Sequence, residues 1–243
     1  MAKLKVPSLQ HLARNWKSDS QSVKKSLIRL VQNPPTFSYE PLFGVVRDIL
    51  VLRQPYAQIE EGIRRGIKRE NVRNNFLEVL PLIRDHFAGI ASTFVQTVDR
   101  RFYPVGRNLL VPFDPPLIYG SKGQIHFPWF SFWRVNPLAD ERLALFVSVV
   151  EDVLLQDPDL ERANFEILDF SVTSPGGKRE LNVIQAASVP RISPDKRAEM
   201  LATFTEGYFL AEAELAGMKD KPSEEQREQD DDRDQPGLFD GDS

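Results

Sequence analysis

The residues able to do chemistry are few and widely spaced. His11, His86 and His126 stand far apart, in no metal-ligand spacing, and His126, beside Trp129 and Trp133, reads as a packed side chain. There are no cysteines, which excludes disulfides, thiol nucleophiles, thiolate zinc sites and iron–sulfur clusters. Asp169 and Glu180 fall on successive strand segments, where two carboxylates could hold Mg²⁺. Asn182 stands where a lysine would stabilise an attacking hydroxide, and the basic pair Lys178-Arg179 precedes the glutamate instead. Asp157, Asp159 and Glu161 cluster after a helix end and read as a solvated loop. No phosphate-cradling glycine loop, nucleophile elbow or dinucleotide fingerprint occurs. No catalytic residue, metal ligand or cofactor is therefore assigned.

Charge is more informative. The chain of 243 residues has a net charge of −4, but residues 1–107 carry +9, residues 108–218 carry −7 and residues 219–243 carry −6. A basic half in an acidic chain points to a polyanion, since local fields steer association. Within it, Arg65, Arg69 and Arg73 would form one ridge if their helices ran on, opposite the stripe of Ile59, Ile63 and Ile67. With Asn74 and Asn75 they are the residues expected to contact nucleic acid.

The elements that must position these groups follow from periodicity. Helices are expected over Leu9–Trp16 with Ser8 as cap and over Gln21–Gln32 with Ser20 as cap, stopped by Asn33-Pro34-Pro35. Another carries Leu42, Val45, Val46, Ile49 and Leu50, and two more cover Tyr56–Arg65 and Arg69–His86. Near residue 93 the pattern changes to strands: Thr93–Tyr103, Asn108–Val111, Pro116–Tyr119 and Gln124–Val135. In the run 126–134, alternation puts Phe127, Trp129, Ser131 and Trp133 on one face and Phe130 and Phe132 on the other, as in a central strand with a core on both sides. Asn136-Pro137 starts a buried helix to Gln156, strands Phe165–Val172 and Leu181–Ala187 flank a Ser174–Gly177 turn, and a last helix runs from Ser193-Pro194 to Gly217. The expectation is an α+β protein. It has a basic helical region over 1–92, then a mixed or antiparallel sheet with two packed helices over 93–218, then a disordered acidic tail over 219–243.

Two short segments resemble known modules. Residues 56–80 resemble a helix-turn-helix, with Gly62, Gly66, Ile67 and Val72 at its spacings and Phe76 one turn beyond. They depart from it in placing the apolar residues of the first helix at Ile59 and Ile63, not at Glu61 and Arg65 where the motif prefers them. The resemblance implies close helix crossing at Gly62 and a turn at Gly66. In the tail, Gln235-Pro236-Gly237-Leu238-Phe239 resembles the peptide by which bacterial replication and repair proteins bind the sliding clamp. Pro236 and Gly237 depart from its usual middle residues. That resemblance implies that Leu238 and Phe239 fill an apolar pocket of the clamp while Gln235 hydrogen-bonds at a second.

No apolar run approaches the ~18 residues of a membrane helix, and the N-terminus has no stretch of signal-peptide length, so a cytoplasmic protein without a membrane partner is expected. The functional expectation is a non-enzymatic, DNA-associated accessory protein of replication, repair or mobile-element maintenance, recruited to the sliding clamp. A helix-turn-helix regulator with a sensing C-terminal domain and a divergent metal-dependent nuclease are the alternatives.

Overall fold

The computed structural model describes residues 4–35, 37–174 and 176–219. Among them are seven α-helices: α1 Leu9–Asn15, α2 Ser20–Gln32, α3 Glu40–Arg47, α4 Tyr56–Gly66, α5 Glu70–Phe87, α6 Asp140–Leu154 and α7 Pro194–Lys219. The strands are β1 Phe94–Gln96, β2 Arg101–Gly106, β3 Leu109–Phe113, β4 Ile118–Ser121, β5 Gln124–Ser131, β6 Asn164–Asp169 and β7 Asn182–Gln185. The chain is α+β.

Helix ends depart from expectation for local reasons. Asp19, not Ser20, caps α2, its carboxylate accepting from the Ser22 amide at 2.8 Å. Helix α3 widens into a π-helical turn over Asp48–Leu52 and stops at Arg53, whose φ is 51° and whose guanidinium donates to the Ile90 carbonyl. Asn136 does not cap α6. Its side-chain oxygen accepts from the Leu138 amide, an Asx turn that delays the helix to Asp140. The expected strand Thr93–Tyr103 is two, because β1 pairs with β4 while β2 turns away to form a separate ribbon with β3.

The main sheet has the order β1-β4-β5-β6-β7 and is antiparallel except for β5–β6, a parallel pair joined through α6. Ser131 and Asp169 are register partners at its carboxyl end. The ladder of β4 reaches only to His126 of β5, and Pro128, which lacks an amide proton, falls just beyond it.

Alternation along β5 and β6 sends side chains to two cores. Phe127, Trp129, Phe165 and Ile167 pack with α1, α2, α6, α7 and the β2–β3 ribbon. Phe130, Phe132, Leu168 and Phe170 pack with α3, α4 and α5. The helices of residues 1–92 are thus divided between opposite faces of the sheet and do not form a layer of their own.

Helices α2 and α7 meet at Gly207, where a Cβ would stand 2.5 Å from Val23 Cβ and 2.7 Å from the Ser20 carbonyl oxygen. At Gly62 in α4 a Cβ would meet nothing within 4 Å. Gly207→Ala is therefore expected to destabilise by about 1–3 kcal/mol through overpacking. Gly62→Ala is expected to stabilise by about 0.5–1 kcal/mol through helix propensity. Denaturant melts of the two variants check both signs.

Candidate functional site

The hairpin between β6 and β7 returns Arg179 into the protein, where its side chain is fully buried. One terminal nitrogen, Nη1, donates to the carbonyls of Phe132 (2.9 Å), Phe170 (2.9 Å) and Trp133 (3.3 Å). The other, Nη2, donates to the Asn75 side-chain oxygen. The Nε–H has no hydrogen-bond partner among the described residues, and the nearest carboxylate oxygen, Glu78 Oε2, lies 3.7 Å away. Asn75 in turn donates to the Tyr39 hydroxyl at 2.9 Å, and Arg134 pairs with Glu78 at 2.8 Å. These groups back an open concavity of about 430 Å³ whose walls include Phe37, Tyr39, Asn71, Asn74 and Glu78.

Asn75 is engaged by Arg179 and Tyr39 and is not a free surface amide, whereas Asn74 is exposed. Arg179, of the basic pair that precedes Glu180, is a buried tie. Asp169 is buried, accepts from Asn136 (2.9 Å) and Ser171 (3.0 Å), and burial raises its pKa, while Glu180 is exposed. Among the described residues no group of three His, Asp or Glu side chains is placed to hold a metal ion.

The arginine ridge is interrupted. Helix α4 ends at Gly66 and α5 begins at Glu70, so Arg65, Arg69 and Arg73 do not lie along one continuous helix. Arg65 pairs with Glu61 one turn back, and Arg73 donates to the Ile67 carbonyl at 3.2 Å. The glycines do not serve as the helix-turn-helix resemblance implies. Gly62 is exposed with open space around it, and Gly66 ends a helix without positive φ. Helix α4 is anchored instead by Ile59 and Ile63, in the same core as Phe76 and Val79 of α5.

Cations without carboxylate partners gather elsewhere. Asn15, buried near the end of α1, accepts from Ser26 Oγ of α2 at 2.8 Å and donates to the His11 carbonyl at 2.7 Å, fixing α1 against α2. Beside this tie lies a concavity of about 380 Å³ walled by Arg14, Lys17, Arg29 and Arg142. None of the four is within salt-bridge reach of a carboxylate among the described residues. The Arg14 guanidinium sits 5.4 Å over the Trp133 ring, whose edge also meets His11 at 5.7 Å. Burial, aided by Arg14, pushes the His11 pKa down to about 4, so the imidazole is neutral at pH 7. Sequence reasoning registered the charge of the basic half but not this cluster. Arg142 comes from the acidic part of the chain, and only the packing of α6 brings it to α1 and α2.

Gln235, Leu238 and Phe239 lie outside the described residues. Among the described residues no helix is long and apolar enough to cross a membrane. No protein-family model, curated protein or solved structure matches the chain.

Truncating Arg179 would leave three carbonyls and Asn75 without their donor. Arg179→Met is expected to destabilise by about 3–5 kcal/mol, the range for breaking a buried charged network, and equilibrium unfolding measures it.

Proposed function

We propose that this chain is a non-enzymatic DNA-associated accessory protein that grips phosphates in the Arg14–Lys17–Arg29–Arg142 concavity. We further propose that it is recruited to the bacterial sliding clamp through Gln235, Leu238 and Phe239. The observation that carries the first part is the absence of carboxylate partners around that concavity among the described residues. Like charges held together repel, and phosphate oxygens supply the missing counter-charge in bidentate geometry. Arg65, Arg69 and Arg73 are the weaker candidates in this reading, because Arg65 and Arg73 already have partners within the fold.

Displacement of counterions makes phosphate gripping salt-dependent, with a slope of about −0.7 per contact on a single strand. Oligonucleotide binding measured from low to moderate salt tests this. The triple variant Arg14→Ala, Arg29→Ala, Arg142→Ala is expected to weaken binding and to flatten the slope by about 2. Alanine at Arg65, Arg69 and Arg73 is expected to change the slope by less than about 1. No affinity at low salt, or a slope untouched by the first triple variant, removes the reading.

The clamp contact rests on the sequence alone: an adjacent Leu-Phe pair three residues after a glutamine, in a segment of net charge −6. Each apolar side chain is worth about 1.5–3 kcal/mol on full burial. In a titration of a peptide of residues 230–243 against purified clamp, Leu238→Ala with Phe239→Ala is expected to abolish binding, and Asp240→Ala to leave it nearly unchanged. Indifference to the double change would exclude this mode of recruitment.

A further inference from the structure

The concavity beside Arg179 differs in kind from the basic one. Its two cations are both committed: Arg134 to Glu78, and Arg179 to three carbonyls and Asn75. With the Glu78 carboxylate in its wall and no uncommitted positive charge, it is poorly suited to a phosphate. What it offers is flat and polar. Asn71 and Asn74 lie one turn apart on α5, both exposed, with no side-chain hydrogen bond among the described residues. Facing them, the Phe37 ring is 37% exposed, held edge-on by Tyr39 at 5.0 Å. A side-chain amide presents a donor and an acceptor side by side, the pattern that matches N6 and N7 of adenine. An exposed ring gives a base a surface to stack on.

Position ties the two concavities together. Consecutive residues after β5 serve both: Trp133 carries Arg14 of the basic concavity on its ring, and Arg134 walls the other. Both lie at the carboxyl end of the parallel pair β5–β6, the end at which α/β sheets present their loops to ligands. We propose that the Phe37–Asn71–Asn74 concavity takes one unpaired nucleobase, adenine best, of a single DNA strand whose neighbouring phosphates lie in the basic concavity. The inference rests on the phosphate-gripping reading above and adds to it a single-stranded ligand and a base subsite.

The test compares four probes of equal length in fluorescence anisotropy: oligodeoxyadenylate, oligothymidylate, an abasic strand with the same phosphates, and a duplex. The wild type is expected to bind oligodeoxyadenylate about ten-fold or more tightly than the abasic strand, from base stacking on an aromatic ring. The duplex, whose bases are already paired, should give no such gain. Phe37→Ala should bring oligodeoxyadenylate down to the abasic level while leaving abasic binding and the salt slope unchanged. Asn74→Ala, at an exposed helical position that folding does not need, should erase the preference for oligodeoxyadenylate over oligothymidylate. Equal, salt-sensitive binding of the adenylate and abasic strands would overturn the base subsite and leave phosphate gripping intact. Tightest binding to the duplex would overturn the single-strand assignment. No binding of any probe at low salt would overturn both readings.

Discussion

The guanidinium of Arg179, carried on the hairpin between β6 and β7, is bonded at once to the residues that follow β5 and β6 and to Asn75 in the second turn of α5. Burying that charge costs several kcal/mol of hydration, offset only because the carbonyls and the Asn75 amide replace water and Glu78 supplies a nearby negative charge. The three carbonyls depend on it equally, since strand ends that outrun their ladders leave polar groups that must find a donor. Its geometry therefore fixes where β5 stops, and with it where Trp133 and Arg134 emerge. A lysine could neutralise Glu78 but could not fork toward carbonyls and an amide in one plane.

Both concavities of the proposal adjoin the residues that follow β5, Trp133 and Arg134, which this node holds. Trp133 meets Arg14 on one face of the sheet, and Arg134 meets Glu78 on the other. The sheet thus separates a wall of cations without carboxylate partners among the described residues from a wall of paired charges, amides and aromatic rings. Such a division suits a polyelectrolyte whose charged backbone and uncharged bases must be handled separately. The neutral state of His11 contributes, because a second positive charge beside Arg14 would crowd the Trp133 face further.

The sequence made the class and most elements legible, since apolar periodicity reports burial directly. The two-sided alternation of β5 appears in space as Phe127 and Trp129 in one core and Phe130 and Phe132 in the other. What it could not reveal was partnership. Arg65 and Arg73 look like free cations until their bonds to Glu61 and the Ile67 carbonyl are seen, and Asn75 looks like a surface amide until Arg179 arrives from a distant hairpin. The basic concavity was hidden for the converse reason, because Arg142 joins Arg14 and Arg29 only through helix packing across more than a hundred residues. Cap assignments failed on a finer scale: Asp19 and Ser20 are both good caps, and their neighbours' geometry decides between them.

Helix α2 lays Val23 against Gly207 of α7, a partner near the far end of the chain. During synthesis at ~5–20 residues per second, the interval between Gln32 and Gly207 is on the order of 10–35 s. For that time the apolar stripe of α2, with Val23, Leu27 and Ile28, waits without its partner, whereas α3 to α5 meet their sheet face sooner. Helix α2, among the first elements made, is thus among the last to be packed. Its stripe is left as exposed apolar surface in the nascent chain, and contacts of such long sequence separation slow folding.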